Sequence, residues 1–348
     1  FSLVLGDDMR GSKLRVLLIA EAANPEWVSV PLVGWSLVKA LCEEVDGHLV
    51  TQVRNKDAIS RTGWVEGIEF TTIDTEALEH PMWKAANLLR MGSDKGWTVA
   101  TALSSLTYPY FEHLVWKSFG SDIRARKYDI VHRITPLSPT ANSSIAKKCK
   151  KVGVPFVVGP LNGGVPWPPG FDTERLREKE YLSYIRGVYK ALPGRRSMLG
   201  ATAAIITGSR YTASEFPDKH QSKCIYLPEN AIDPSRFNRV ASQELALPLR
   251  GCFIGRMVPY KGADMLLEAA APLLRDGKLV LDMIGGGPML VFLKELSKRE
   301  GIQQWVTFHG WLEHTIVQEV AARSNLFLFP SVREFGGGVV LEAMALGV

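Results

Sequence analysis

Short apolar runs alternate along the chain with longer stretches whose apolar positions recur every three or four residues. The first run, LRVLLIA at 14–20, lacks polar alternation, the pattern of a strand buried on both faces. A helix is predicted around 34–44, with strands near 48–53 and 68–73. Further strands are predicted at 130–132, 155–158, 204–207 and 224–227. Residues 81–119 read as helical and rich in aromatics, with Trp83, Trp97, Tyr108, Tyr110, Phe111 and Trp116. Such a stretch suits covering a sheet or lining a groove.

Beyond residue 230 the rhythm becomes regular. GCFIG at 251–255 leads to a helix at 263–274, and 278–284 leads to 289–300. Strand 306–310 leads to helix 315–322, and 326–329 leads to 339–346. Four successive strand–helix units imply a parallel, doubly wound α/β sheet. The polar segment 234–248, with two prolines, reads as a connector near a domain junction. Ligands of open parallel sheets bind beyond the carboxyl ends of the strands, so the loops after each strand should carry the chemistry.

Composition narrows this picture only a little. At 348 residues the chain has room for about two domains. An apolar fraction of 46% with 22% charged residues excludes disorder, and no apolar run approaches membrane-spanning length. The opening FSLVLGDDMR is too short and acidic for a signal peptide. Charge changes more. Residues 140–200 carry 11 basic and 4 acidic side chains within a chain of net charge +5. This excess points to an anionic surface, a polyanion or a phosphorylated substrate, or to a solvated basic face. Cys42, Cys149, Cys224 and Cys252 are far apart and lack a histidine cluster, so neither a disulfide framework nor a zinc site is indicated. A reducing cytoplasm is the expected compartment.

Four motifs follow predicted strands. GRMVPYKG at 255–262 sets Arg256 and Lys261 five residues apart ahead of a helix. A planar guanidinium and a mobile ammonium together suit a diphosphate, although two surface cations would read alike. PSVREFGGGVVLEA at 330–343 combines Glu334, three glycines and a helix start near Val339. Carboxylate oxygens accept bonds from sugar hydroxyls, and a helix amino terminus holds phosphate. Glu342, one turn into that helix, is placed for a ribose diol or for a buried ion pair. GGGP at 285–288 permits close approach of a ligand or serves as a tight turn; it is not a dinucleotide fingerprint. LPENAID at 227–233 places Asn230 at a turn.

The order and spacing of LPENAID, FIGRMVPYKGADMLLEAA, DMIGGGP, VTFHGWLEH and LFLFPSVREFGGGVVLEAMALGV resemble glycosyltransferase family 4. The resemblance is strong over 225–348 and weaker but continuous over 14–224. It implies a GT-B fold: two Rossmann-like doubly wound domains facing a cleft, an acceptor-side domain over 1–230 and a nucleotide-sugar-binding domain over 231–348. It implies a retaining, metal-independent transfer of a sugar from a nucleotide-diphosphate donor, UDP- or GDP-linked, with no other cofactor. Arg256 and Lys261 are then expected on the diphosphate, Glu334 on the transferred sugar and Glu342 on the ribose. The backbone of Phe335, Gly336, Gly337 and Gly338 is expected on sugar and phosphate, and Gly310 and Trp311 beside the base.

The first domain departs from the family pattern. AEAANPEW stands where many members have a Gly-Gly turn, and the glycine comes later as Gly34. His132 matches only the first position of a His-x-His, because Ile134 occupies the second. His132 is a catalytic candidate or a structural histidine. The run GPLNGGVPWPP at 159–169 is an acceptor or donor loop or a rigid connector, and Asn162 could supply a polar contact. Residues 173–196, with Lys147, Lys148, Lys150 and Lys151, form a basic, partly aromatic face. Family members dock such faces on anionic membranes to reach lipid-linked acceptors, so a peripheral membrane contact is expected; nucleic acid is not. The acceptor is a glycan, a lipid-linked sugar or a small molecule, in polysaccharide or glycoconjugate biosynthesis. A GT-B epimerase and an inactive nucleotide-sugar-binding remnant are the alternatives.

Length enters last. Four strand–helix units after residue 230 are fewer than the six strands of a complete doubly wound domain. With Phe1 as the first residue, the expectation is a truncated second domain with an exposed apolar sheet edge.

Overall fold

The computed structural model describes residues 13–75, 96–163, 165–177, 194–232, 237–241, 245–334 and 336–348. Phe335, Trp83 and residues 178–193 of the basic stretch lie outside the described residues. Spatial contacts divide the chain into two compact units. The first holds the described residues up to 163 and 194–229, and the second holds 165–177 and 230 onward. Segment 165–177, read from the sequence as part of the first domain, therefore belongs to the second unit.

The first unit is a seven-stranded sheet of order β3-β2-β1-β4-β5-β6-β7. Its strands are β1 (Arg15–Ala20), β2 (Asp46–Gln52), β3 (Phe70–Ile73), β4 (Ile130–Thr135), β5 (Phe156–Leu161), β6 (Ala204–Thr207) and β7 (Cys224–Tyr226). Every pairing is parallel. The β1 run is apolar on both sides because both sides are covered. Leu17 and Ile19 pack into the cluster that contains Tyr108, Phe111 and Val115 of helix Gly96–Arg124. Val16, Leu18 and Ala20 pack into the opposite cluster with Trp35 and Val38 of helix Val30–Glu44. That helix begins four residues earlier than the sequence pattern predicts, since Pro31 sits in its first turn, where no intrahelical N–H is needed.

Helix Ile145–Val152 turns Ile145, Ala146 and Cys149 inward. Its start is held by the buried carboxylate of Glu112, which accepts from the Ser144 N–H at 2.5 Å, from the Ile145 N–H at 3.4 Å and from the Ser143 hydroxyl. A carboxylate at a helix amino terminus is favoured by the unpaired N–H groups and by the dipole. All four cysteines are free thiols, and burial pushes the Cys149 thiol up to about 12.

The second unit is a four-stranded parallel sheet of order β10-β9-β8-β11, with β8 (Leu249–Ile254), β9 (Leu279–Ile284), β10 (Val306–Gly310) and β11 (Leu326–Phe327). Phe253, Leu279, Leu281 and Met283 pack against helices Ala263–Arg275 and Leu290–Arg299 on one face. Cys252, Ile254 and Ile284 pack with Ala321 and Leu346 on the other. The predicted two-layered covering of a parallel sheet is thus present in both units. Among the described residues no helix is long and apolar enough to cross a membrane.

Candidate functional site

In the second unit the strand order reverses direction at β8. Strands β9 and β10 step away on one side, and β11 lies on the other. Loops leaving the carboxyl ends of such neighbours form the ligand crevice of an open parallel sheet. Those two loops are 255–262 and 328–337, which carry Arg256 and Lys261 on one side and Glu334 on the other.

The loops are joined by backbone and side-chain contacts. The Val332 N–H donates to the Tyr260 carbonyl at 2.9 Å, and the Ser331 hydroxyl donates to the Arg333 carbonyl at 3.1 Å. Lys261 Nζ forms an ion pair with Glu334 Oε2, to which the Ser331 hydroxyl also reaches at 3.5 Å. The ammonium also lies 5.3 Å from the centre of the Phe329 ring. Partial burial lowers the local dielectric, so this pair interacts more strongly than one on the surface. Gly262 makes the join possible. Its φ is +67°, and a methyl group there would lie 2.5 Å from the Pro330 carbonyl oxygen.

The GGGP loop has a structural reason of its own. Gly285 has φ +123°, and a methyl group on it would lie 2.0 Å from the Gly255 carbonyl oxygen. Its N–H donates to the Gly310 carbonyl at 2.7 Å, and the Met257 N–H donates to Gly286 at 2.9 Å. The glycine loop therefore braces the Arg256 loop on one side and the Gly310–Trp311 loop on the other. Trp311 is 70% exposed, an indole presented to solvent after β10. Behind it, His309 Nε2 meets Asp282 Oδ1 at 2.7 Å, and Arg250 Nη1 meets Asp282 Oδ2 at 2.7 Å.

Helix Gly338–Leu346 begins directly after the Glu334 loop, with Gly337 in the left-handed region. A helix of this length leaves its first N–H groups without intrahelical partners. The side chain of Asn230 lies against Gly338 at this helix start. Glu342 is half-buried one turn further on. Arg256, Lys261, Glu334, Gly310, Trp311, Gly336, Gly337, Gly338 and Glu342 all lie in the second unit. Among the described residues no group of three or more His, Cys, Asp or Glu is arranged to hold a metal ion.

His132 lies in the first unit, within β4. Its buried Nε2–H donates to the Gly159 carbonyl of β5 at 2.7 Å, and burial pushes its pKa down to about 4. It is therefore a neutral ring that ties two strands together. The carboxyl ends of β1, β2 and β4 hold a buried polar group that the sequence reading missed. Glu21 pairs with Arg54, Asn55 donates to the Glu21 carbonyl at 3.0 Å, and Asn24 donates to Asn55 at 3.3 Å. Thr135 accepts from the Ala22 N–H at 3.0 Å. The available signal was a polar residue immediately after each apolar run, as in EAAN and QVRN.

Residues 248–348 match the family described as Glycosyl transferases group 1. The match falls within the second unit. An uncharacterized glycosyltransferase of Methanocaldococcus jannaschii is 23% identical over 266 residues, covering 70% of this chain and 63% of that protein. A GDP-mannose-dependent alpha-(1-6)-phosphatidylinositol monomannoside mannosyltransferase of Mycobacterium tuberculosis is 31% identical over 185 residues, 46% of this chain and 47% of its own length. The chain thus spans less than two thirds of the length of these curated relatives. Among solved structures, the sucrose-phosphate synthase of Thermosynechococcus elongatus superposes with a TM-score of 0.58 at 14% identity, over 97% of this chain and 80% of that one. The fold, with its two parallel sheets, is therefore GT-B-like over nearly the whole chain.

Two predictions concern this framework. Gly285→Ala is expected to destabilise the second unit by more than ~2 kcal/mol, because it meets both a forbidden φ and a carbonyl oxygen. Gly286→Ala, with open space around it, should change stability by less than ~1 kcal/mol; urea unfolding of the two variants checks the contrast. The depressed pKa of His132 makes its contribution to stability complete above the unfolded value of about 6.5. It is lost as the pH falls toward about 4. Between pH 7 and pH 5 the wild type should lose about 2 kcal/mol more than His132→Gln, as read from urea midpoints at the two pH values.

Proposed function

We propose that the chain is a retaining glycosyltransferase that moves a sugar from a nucleotide-diphosphate sugar to an acceptor hydroxyl. The observation that carries this reading is the Lys261–Glu334 pair at the strand-order reversal, with Arg256 on the same loop as Lys261 and a helix start beside Glu334. In this reading the donor diphosphate lies over Arg256, Lys261 and the first turn of Gly338–Leu346. Three sources of positive potential then neutralise a leaving group whose negative charge grows in the transition state. The diphosphate competes with Glu334 for the Lys261 ammonium. Glu334, released from the ion pair, accepts bonds from hydroxyls of the transferred sugar. Glu342 meets the ribose, Gly310 and Trp311 flank the base, and the backbone of 335–338 contacts sugar and phosphate.

The transfer breaks the bond between the anomeric carbon and the diphosphate oxygen and forms one to the acceptor oxygen on the same face. The acceptor proton passes to the departing phosphate oxygen. His132, neutral and bonded to the Gly159 carbonyl, takes the structural role in this scheme. The mannosyltransferase relative makes a GDP-linked donor the first to test, beside UDP- and ADP-linked ones. On the acceptor side, Lys147, Lys150 and Lys151 face solvent along one side of helix Ile145–Val152, while Cys149 is buried. That face suits an anionic surface holding a lipid-linked acceptor.

A thermal-shift screen of GDP-, UDP- and ADP-sugars should give one nucleotide class that raises the melting temperature. Lys261→Ala should weaken that donor roughly 10- to 100-fold, the loss of a charge-assisted contact. Glu334→Gln should retain binding of the nucleoside diphosphate alone and lose the added affinity conferred by the sugar. If neither substitution alters donor binding, the site is wrongly placed; binding without transfer to any acceptor would leave a nucleotide-sugar-binding protein. Co-sedimentation with vesicles containing anionic phospholipid should exceed that with neutral vesicles and fall as salt rises. Equal sedimentation with both removes the membrane contact.

A further inference from the structure

Segment 165–177 leaves β5 of the first unit and packs on the second. Helix Asp172–Arg177 lies against the short turn Pro259–Lys261. Arg177 Nη1 contacts Asp264 Oδ2 at 2.8 Å, and its guanidinium stands 5.4 Å from the centre of the Phe292 ring. Asp264 is buried in the first turn of helix Ala263–Arg275, directly after the Lys261 loop. The segment is thereby fixed to the element that follows that loop.

Its indole is placed more pointedly. Trp167 meets Tyr260 edge to face, with ring centres 6.5 Å apart and planes at 86°. The Arg333 guanidinium lies 5.6 Å from the centre of the Trp167 ring. Tyr260 immediately precedes Lys261, and Arg333 immediately precedes Glu334. One side chain therefore touches the chain neighbour of each member of the ion pair. Arg333 is only 5% exposed, and an aromatic face is a favourable environment for a guanidinium withdrawn from water.

We propose that Trp167 is a positioning residue. It clamps Tyr260 and Arg333, and through them holds Lys261 and Glu334 in the relative placement that a nucleotide-diphosphate sugar requires. The donor part of this inference rests on the proposed function; the clamp itself does not. Removing the indole leaves the Arg333 guanidinium without its aromatic face. Arg333 then changes rotamer and carries the adjoining Glu334 backbone with it. A phenylalanine retains a ring face of smaller area, so it restores most of the effect.

Hydrogen exchange on the full chain, followed by mass spectrometry, tests the clamp directly. Trp167→Ala is expected to speed amide exchange about tenfold in 260–262 and 331–334, with β9 unchanged, and Trp167→Phe to return both loops to within about threefold of wild type. Arg333→Lys keeps the charge but loses the planar stacking and should loosen the same two loops. Binding of GDP-mannose and UDP-glucose, each titrated separately, should weaken about tenfold in Trp167→Ala for whichever of them the wild type binds, and recover in Trp167→Phe. Exchange that is unchanged in both loops overturns the proposal. Exchange raised equally in β9 also overturns it, since Trp167 would then be ordinary core. If the wild type binds neither donor, the exchange result still decides the clamp, and the proposed function fails separately.

Discussion

The pairing of β8 with β11 is the constraint on which the candidate site depends. Leu326 and Phe327 align with Gly251 and Cys252, and the Leu328 N–H continues the contact by donating to the Cys252 carbonyl at 2.8 Å. Two loops more than sixty residues apart in sequence are thereby delivered to the same end of the sheet. Once there, an ammonium and a carboxylate satisfy each other, and a glycine with φ +67° lets the backbones touch. A shift of one residue in β11 would turn its side chains to the opposite face and withdraw Glu334 from Lys261. The geometry of the charges is thus set by main-chain register before any ligand arrives.

The ion pair also balances charge within the candidate site. Arg256, Lys261 and a helix start at one edge would concentrate positive potential. Glu334 offsets part of it internally. The same carboxylate is the group best suited to a polyhydroxylated sugar. One side chain therefore serves two states, as counter-ion when the site is empty and as hydrogen-bond acceptor in the proposed complex.

Much of the framework was legible from the sequence because burial on both faces writes itself as continuous apolar runs. LRVLLIA, GCFI and LVLDMI became β1, β8 and β9 within a residue or two. The loops that bring Lys261 and Glu334 together were legible because parallel neighbours send their following loops to one end of the sheet. What escaped was written in polar letters or across distance. Strand β4 extends through Thr135, beyond the predicted 132, and includes Arg133, a fully buried guanidinium that bonds to the Ala141 carbonyl at 2.7 Å and sits beside Tyr108. No periodicity rule admits a charge there. Strand β5 runs through Gly159 and Pro160, residues that ordinarily end a strand. The apolar pattern LFLF predicted four residues for β11, where two form the ladder. The docking of Trp167 on Tyr260 and Arg333 has no local signature, since it joins residues about a hundred or more positions apart.

The placement of segment 165–177 has a consequence for biosynthesis. Chains leave the ribosome at about 5–20 residues per second, and domains tend to fold in the order in which they emerge. Glu334 follows Trp167 by 167 positions in the sequence, so the indole emerges roughly 10–30 s before the loop it clamps. During that interval the strands that flank the segment, β5 and β6, can pair within the first sheet before Arg333 reaches Trp167. The contact of Trp167 with Arg333 thus forms only after β11 has emerged, later than its contact with Tyr260. Joining of the Lys261 and Glu334 loops is in this sense a late step of synthesis, scheduled by the order of the gene rather than by the stability of the first domain.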